Sequence, residues 1–485
     1  MTTPTSSQPE PESGDAPQRR WRVVPQRRVS VVDQYRPQRW NWSIIVRPID
    51  VSVARQAQRP LDREHLRGLR YFWLDGLFSA ISENFYLNFI SLYALAYGAT
   101  NGQVGWVTAT GNLMGALALF PGARMVERVG RRKPIILVSG GGFGRLALLL
   151  LALVPFIFLQ PTAAIMAIVA LNGLRAFMFN FSNPAWTALV ADLVPDAMRG
   201  RYFSARNVAM GMAALAVAPI AGRVIVLGNG WNGWPYMGYQ AVFFLAFAFG
   251  VIGTLSFSRI PEPAPSAQQV APHQRGDLRR ALRESPEFVG LVISAFLWNL
   301  ALQVAGPFFY VYLVNGLGGT TATVGAVVSI TSAAALFGQW VFGRALDRRG
   351  ALWVQTVAGL CIGFLPWAWL VITAPWHVGI INLFGGFLWA GFNLANFNLL
   401  LELTPDAQRP RAVALYQTVV FGSAFLGPLL GGYIADAYGY KANFALSGAG
   451  RLAAMGLFIW LSARPARRHG KGGARVKVED WKIED

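Results

Sequence analysis

Cysteine, histidine and charged residues are all scarce in this sequence. Its 485 residues include one cysteine, Cys361, and four histidines. A single cysteine excludes an intrachain disulfide, and neither residue type shows the spacing of a metal site, so we expect no metal and no cofactor. Charged residues make up 14% of the chain, against roughly 25% in an average soluble protein. Too few charges remain to coat a water-soluble surface, which argues against a soluble enzyme.

The charges that are present carry a basic excess. Lysine and arginine number 43 and aspartate and glutamate 24, which gives a formal net charge of +19. A nucleic-acid-binding protein would gather its basic residues on one folded face, whereas here they separate hydrophobic stretches, so no nucleic-acid partner is expected. The sequence contains no phosphate-binding Gly-x-x-x-x-Gly-Lys-Ser/Thr motif and no hydrolase motif. It therefore predicts neither an ATP-driven pump nor a membrane enzyme.

Long apolar segments follow one another from Tyr71 onward. Each has about 20 or more residues, enough for a helix to cross a hydrocarbon core of about 30 Å. The sequence therefore predicts an all-α polytopic membrane protein with twelve transmembrane helices. We number them spans 1 to 12 and place them at 71–97, 103–124, 134–158, 163–191, 202–227, 240–258, 287–314, 322–345, 352–373, 377–401, 411–435 and 442–463.

The connections between spans predict the orientation. Nearly all basic residues lie in the two tails and in the links that follow the even-numbered spans, and basic links stay cytoplasmic. Both termini are therefore predicted to be cytoplasmic, in a cell (plasma) membrane with its lipids as surroundings; the excess of arginine over lysine favours a bacterial inner membrane. The predicted order is a basic disordered tail (1–66), a six-helix bundle (67–258), a cytoplasmic linker (259–286), a second six-helix bundle (287–464) and a cytoplasmic tail (465–485).

Charged residues inside the spans are few. Each must face protein or water, because lipid exposure at a helix centre costs at least ~2.5 to 3.5 kcal/mol. Asp75 and Glu83 lie in span 1, Arg145 in span 3 and Arg175 in span 4. Glu83 is a candidate for carrying a proton, and a static ion pair with one of the two arginines is an equal alternative.

Spans 1, 4, 7 and 10 each carry a polar and aromatic face at three- and four-residue spacing. Polar residues also hold helices together in lipid, so helix packing remains an equal alternative for any single Asn or Gln. The candidate residues on these faces are Tyr86, Asn88, Asn172, Phe179, Asn183, Asn299, Gln303, Tyr310, Trp389, Asn393 and Asn396.

The two predicted bundles repeat one another at an offset of about 215 residues. Because six helices are an even number, the two copies must be related by an axis along the membrane normal. Three pairs of segments share the repeated pattern: 97–105 with 317–325, 127–130 with 347–350, and 192–201 with 402–411.

In its helix count and in these repeated loops the chain resembles the major facilitator superfamily. The resemblance implies alternating-access transport, with spans 1, 4, 7 and 10 lining a central substrate cavity and short acid–basic loops acting as cytoplasmic gates. The first loop departs from the family pattern, since Ala123 replaces a glycine and Glu127 an aspartate. The implied gate residues are Glu127, Arg128, Gly130, Arg131, Arg132, Asp192, Arg199, Arg201, Asp347, Arg348, Gly350, Glu402, Arg409 and Arg411.

The sequence thus predicts a secondary transporter of a small organic solute, a monomer coupled to protons, with export by proton antiport preferred. A nutrient importer, either a symporter or a uniporter, is the alternative within the same class. A membrane sensor built on a transporter fold is the alternative from another class, and it would bind a ligand without moving it.

The twelve-span topology makes a direct prediction. Reporter tags inserted at Asn232 and Gly318 should be accessible from outside the cell, and tags within 262–276 from inside, as measured with an impermeant antibody before and after permeabilisation. One tag on the opposite side would overturn the topology, because every later span would be inverted with it.

Overall fold

The computed structural model describes residues 63–229, 231, 234–262, 286–402 and 409–463. Within these ranges the side chains of 63, 196–201, 286–288, 397, 401–402, 409–414 and 462–463 are left out. The predicted disordered tail, most of the linker and the carboxyl-terminal tail lie outside the described residues. The regular elements of the described part are helices.

The first bundle contains helices at all six predicted spans. Span 1 is broken into two helices, and span 3 contains a π-helical turn. The bounds are Arg63–Tyr86 and Ile90–Ala96 for span 1, Asn101–Val129 for span 2, Lys133–Val138, the π-helical Ser139–Phe143 and Gly144–Ile157 for span 3, Pro161–Leu193 for span 4, Asp196–Asn229 for span 5 and Met237–Ser258 for span 6.

The second bundle follows the same plan. Span 7 is broken at the position that corresponds to the break in span 1, and Gly439, with φ 80°, separates spans 11 and 12 within one continuous stretch. The bounds are Pro286–Ala305 and Phe308–Asn315 for span 7, Thr321–Arg349 for span 8, Ala351–Val371 for span 9, Pro375–Glu402 for span 10 and Arg409–Phe458 with the π-helical Ile459–Ala463 for spans 11 and 12.

Nine helices in the described ranges are long and apolar enough to cross a membrane. The last of them, Leu415–Leu461, contains both span 11 and span 12, so the nine account for ten predicted spans. Spans 1 and 2 are helical as predicted but are not among the nine, and their crossing of the membrane remains a prediction.

Spans 2 and 8 begin and end in the same way, because the sequence repeat gives them the same type of residue at each end. Each begins at a threonine, Thr100 or Thr320, whose side chain accepts from the backbone N–H three residues later in a reciprocal capping box. Each runs for 29 residues and ends at a glycine, Gly130 with φ 66° or Gly350 with φ 78°. Glycine adopts positive φ without steric cost, so the repeated glycines terminate both helices where the predicted gate loops begin.

The two bundles contact each other toward the predicted outer side. Gly105 of span 2 lies against the carbonyl of Pro428 in span 11, and Gly325 of span 8 lies against the carbonyl of Ala218 in span 5, too closely for any side chain at either glycine. Small residues permit this approach of two helices.

The buried apolar residues form one cluster shared by both bundles and further clusters within each bundle. One cluster joins the bundles at the outer side and includes Tyr93 and Phe308. Toward the predicted cytoplasm each bundle has a cluster of its own, around Phe72 in the first and Trp298 in the second. The structure is therefore closed toward the predicted outside and divided toward the predicted cytoplasm.

A carboxylate from the second bundle closes the outer side. Asp436, at the end of span 11, accepts hydrogen bonds from the backbone N–H groups of Asn101 and Gly102 at 3.0 and 2.7 Å and from the side-chain amide of Asn101 at 2.9 Å. Tyr440 donates to Oδ1 of Asn101 at 2.6 Å. First-turn N–H groups and the helix dipole favour a negative charge at this position. We call these four residues the outer latch.

Neutralising the outer latch should open the outer side. In a Cys361→Ser background, a cysteine at Asn112, which contacts Ala424 across the bundle interface at 2.8 Å, reports this opening through reaction with an impermeant maleimide. Asp436→Asn should raise the labelling rate about fivefold, the effect of losing ~1 kcal/mol of charge–dipole attraction. Lys441→Gln, which changes an exposed charge beside the latch, serves as the control. Equal labelling of Asp436→Asn and the control would show that the carboxylate does not hold the bundles together.

Candidate functional site

A cavity of about 430 Å³ lies within the first bundle, between spans 1, 3, 4, 5 and 6. We call it the charged cavity, because three arginines and two carboxylates line it. The carboxylates Asp75 and Glu83 are eight residues apart on span 1 with Ser79 between them, so helical periodicity places all three on one face. The three arginines lie on other helices, Arg145 on span 3, Arg175 on span 4 and Arg206 on span 5.

Arg145 is buried and held by two serines of span 1. Its two terminal nitrogens donate to Ser82 Oγ at 2.9 Å and to Ser79 Oγ at 2.8 Å. The π-helical turn Ser139–Phe143 ends just before this residue, and π-helical turns often occur at functional sites. Gly250 of span 6 leaves room for the side chain, since a Cβ there would lie 2.6 Å from Arg145 Cδ.

Arg206 is paired with Asp75. Its terminal nitrogen lies 3.8 Å from Asp75 Oδ2, and its Nε donates to the carbonyl of Phe72 at 3.4 Å. The guanidinium carbon also lies 4.4 Å from the centroid of the Phe72 ring. Sequence reasoning missed Arg206, although its position four residues inside predicted span 5 was a signal that could have found it.

Arg175 and Glu83 differ from the other charges of the charged cavity, because Arg145 has hydrogen bonds to two serines and Arg206 and Asp75 form an ion pair. Arg175 is 8% exposed and lies between two rings, with its guanidinium carbon 4.0 Å from the centroid of Tyr86 and 4.8 Å from that of Phe179. Glu83 is half-buried. Among the described residues neither side chain has a hydrogen bond or an ion pair, so the structure brings Glu83 to the arginines without locking it to one of them.

A second cavity, of about 290 Å³, lies within the second bundle. We call it the neutral cavity, because no charged side chain in the described part of the chain lines it. Trp298 stacks on Phe392 at 4.8 Å, and Asn396 exchanges a hydrogen bond with Tyr416 at 2.9 Å. Its other polar and aromatic lining residues are Ser294, Asn299, Gln355, Trp389, Asn393, Gln417 and Phe458.

The candidate residues of the polar faces divide into those that line a cavity and those that do not. Phe179 and Asn183 line the charged cavity, and Asn299, Trp389, Asn393 and Asn396 line the neutral one. Asn172 instead donates to the carbonyl of Val107 at 2.8 Å and so holds span 4 to span 2, which is the packing alternative. Tyr86 lies beneath Arg175, and neither cavity is lined by Asn88, Gln303 or Tyr310.

Comparison with known proteins agrees with this architecture. The sequence profile of the Major Facilitator Superfamily matches residues 72–401 and 380–483. The chain belongs to this superfamily. Its members are transporters, so the protein is a multi-pass membrane transporter and not an enzyme.

Relatives of the chain have names that refer to sugar efflux and to multidrug resistance. The chain is 25% identical over 383 residues to the "Putative sugar efflux transporter" of Deinococcus radiodurans. The alignment covers 78% of this chain and 93% of the relative. It is 25% identical over 416 residues to the "Multidrug resistance protein MdtG" of Salmonella typhi, with 83% and 96% covered.

Two solved superfamily structures share the fold. The nucleoside transporter NupG superposes with a TM-score of 0.62 at 14% identity, covering 81% of this chain and 98% of its own. A D-xylose–proton symporter superposes with a TM-score of 0.63, also at 14% identity, covering 82% and 97%.

The superfamily gate loop of the first bundle is held by residues other than Glu127. Arg132 forms an ion pair with Asp192 at the end of span 4 and donates to the carbonyl of Ala188 at 3.1 Å. The backbone N–H of Arg132 donates to Glu262 at 2.6 Å. These contacts fasten the loop within its own bundle.

The remaining predicted gate residues are either exposed or have side chains outside the described residues. Glu127, Arg128, Gly130 and Arg131 are exposed, as are Asp347, Arg348 and Gly350. Neither Glu127 nor Asp347 has an ion pair with a described side chain, as expected where the predicted cytoplasmic side is open. The side chains of Arg199, Arg201, Glu402, Arg409 and Arg411 lie outside the described residues.

Removing the carboxylate partner of Arg206 should destabilise the fold. Asp75→Asn leaves a buried guanidinium without its counter-charge, at an expected cost of ~3 kcal/mol in the free energy of unfolding. The melting temperature of the purified protein should fall, and the double variant Asp75→Asn with Arg206→Gln should recover most of the loss. Arg223→Gln, at an exposed arginine of the same span, should melt like the parent. A single variant that melts like the parent would mean that the pair contributes no stability.

Proposed function

We propose that the protein exports a small organic solute by alternating access and couples this movement to protons at Glu83. The observation that carries the proposal is the state of Glu83, a half-buried carboxylate in a membrane-spanning helix that lines a cavity and has no ion pair with a described residue. A proton on such a carboxylate breaks no ion pair with a described residue, whereas a proton on a paired carboxylate would.

Asp75 is less suited to carrying the proton. Its carboxylate accepts from Ser79 at 3.5 Å and faces Arg206 at 3.8 Å, so protonating it would break an existing pair. Arg145 is likewise engaged by serines. Arg175 has no such partner and provides a positive charge in the same cavity as Glu83. Protonation of Glu83 would therefore change the balance of charge around Arg175 and so the relative energies of two conformers.

The direction and the substrate class follow from other observations. The printed names of the relatives from Deinococcus radiodurans and Salmonella typhi refer to sugar efflux and to multidrug resistance, which supports export of an organic solute. Cavities of about 430 and 290 Å³ suit a small molecule. We place the protein, as a monomer with both termini cytoplasmic, in a bacterial inner membrane.

The gate loops complete the cycle in this proposal. The structure is open toward the predicted cytoplasm, with Glu127 and Asp347 exposed. When that side closes, these carboxylates would meet basic residues or helix ends of the opposite bundle, which would replace the interactions of the outer latch.

Glu83→Gln tests the proton role. The amide mimics the protonated acid, so accumulation of labelled glucose or ethidium in proteoliposomes driven by a pH gradient should be lost, while exchange without a gradient persists. The melting temperature should change little, because Glu83 has no ion pair to lose. Glu64→Gln makes the same chemical change at an exposed position of the same helix and should accumulate normally.

Three results would count against the proposal. Full driven accumulation in Glu83→Gln would remove the proton role. A large fall in melting temperature would show that Glu83 is a structural partner of an arginine. Accumulation in the parent only when the gradient is reversed would indicate symport, and hence import, in place of antiport.

A further inference from the structure

The neutral cavity contains a polar group that the fold itself does not use. Gln355 of span 9 is 4% exposed, and its carbonyl oxygen Oε1 is fully buried without a hydrogen-bond partner. Its amide makes no hydrogen bond with any residue in the described part of the chain. Buried amides are nearly always hydrogen-bonded, because leaving one unpaired costs free energy. Gln355 lines the neutral cavity, and a rotation of its terminal amide would bring this oxygen to a ligand there, which would supply the missing partner.

The surroundings of Gln355 point to the chemistry of that ligand. Asn299 donates its amide to the carbonyl of Ala295 in its own helix at 2.9 Å, which leaves its side-chain oxygen free. Asn393 and Gln417 are exposed to the cavity space and make no hydrogen bond with a described residue. The cavity therefore offers several amide groups, which both donate and accept hydrogen bonds.

Aromatic rings supply the apolar part of the same cavity. Trp389 lies edge-on to Phe392 at 5.4 Å and tilted to Trp298 at 6.3 Å, so the three rings form one wall. A ring-shaped solute can pack against such a wall while its polar edge reaches the amides.

Charge excludes other classes of solute. The described side chains that line the neutral cavity carry no charge to neutralise an acid or an amine, and a desolvated ion without a counter-charge is strongly disfavoured. The charged cavity of the other bundle contains all three arginines and both carboxylates discussed above. The two cavities thus differ in the solutes that they can accept.

We propose that the neutral cavity is the binding site for the transported solute, that this solute is an uncharged, hydroxyl-rich ring such as a sugar, and that Gln355 determines its binding. The inference rests on the proposed transport function and leaves proton coupling to the charged cavity. Gln355, Tyr416 and Gln417 lie on spans 9 and 11, outside the four spans that the sequence pattern singled out.

Calorimetric titration of the purified full-length protein tests the proposal. The probes are D-glucose, D-xylose and uridine, with D-gluconate and D-glucosamine as charged analogues of the first. We expect saturable binding of at least one uncharged probe and at least tenfold weaker binding of both charged analogues. No saturable binding by any uncharged probe, or equal binding of a charged analogue, would overturn the proposal.

Gln355→Leu tests the residue. Because the amide has no partner in the fold, its loss should not lower the melting temperature, yet the dissociation constant of the bound probe should rise about tenfold, the usual effect of one lost hydrogen bond. Thr356→Val is the matched control, since that hydroxyl bonds within its own helix, to Leu352 at 2.8 Å, and does not line the cavity. Unchanged binding in Gln355→Leu would exclude Gln355 as a ligand contact.

Two further variants keep the outcome interpretable. Should Gln355→Leu fail to fold, Asn393→Ala removes an exposed amide of the same cavity and is expected to weaken binding in the same way. Glu64→Gln, at an exposed position outside both cavities, should bind the probe like the parent. Full driven accumulation in Glu83→Gln would refute the proton role of Glu83 without affecting the solute site, whereas lost accumulation in Glu83→Gln with no effect of Gln355→Leu on binding would refute the solute site alone.

Discussion

The cost of keeping arginine inside a membrane-spanning bundle shapes the first half of this protein. Each guanidinium would cost at least ~2.5 to 3.5 kcal/mol at a helix centre in lipid, so each must find compensation from protein. Arg145 finds it in two serines, and Arg206 in Asp75 and a backbone carbonyl. Arg175 has only the faces of two rings. These contacts join spans 3, 4 and 5 to span 1.

Glycines of the same bundle make room for the arginines. A Cβ at Gly76 would clash with the guanidinium of Arg206, and one at Gly250 would clash with the stem of Arg145. Neither glycine lines the charged cavity, but each leaves the space that one of its arginines occupies. Substituting either would displace a buried cation from its partners, which makes the cavity sensitive to changes that leave every charge in place.

Local sequence signals predicted where the helices lie. The spans, the repeated capping threonines and the terminating glycines Gly130 and Gly350 are encoded within a few residues of where they act. Polar faces at helical spacing pointed to Phe179 and Asn393, which line cavities in the structure, and their contact with a substrate stays a prediction. The same pattern could not separate these residues from Asn172, because an amide that lines a cavity and one that bonds a neighbouring helix have the same spacing.

Pairings between distant residues could not be derived from the sequence. Asp436 meets Asn101 across 335 positions, and Arg206 meets Asp75 across more than a hundred. Periodicity describes one helix at a time and has no information on which faces of two helices meet. Gln355 shows the limit most clearly, since a lone glutamine in an apolar span predicts helix packing, and only its missing partner in the folded bundle indicates a ligand.

The outer latch connects these local sites to a conformational cycle. Two of its four hydrogen bonds are exposed and two are partly buried, so we expect them to hold the predicted outer side closed by a modest free energy that a change of charge or a bound solute can exceed. In the proposed cycle a proton on Glu83 and a solute at Gln355 would act in different bundles, and neither would need to touch the latch. Each shifts the equilibrium only if it binds more tightly in one arrangement of the bundles than in the other. In the proposed cycle, coupling between the two cavities would therefore pass through the interface between the bundles, spans 2 and 11 and spans 5 and 8, where glycines lie against backbone carbonyls.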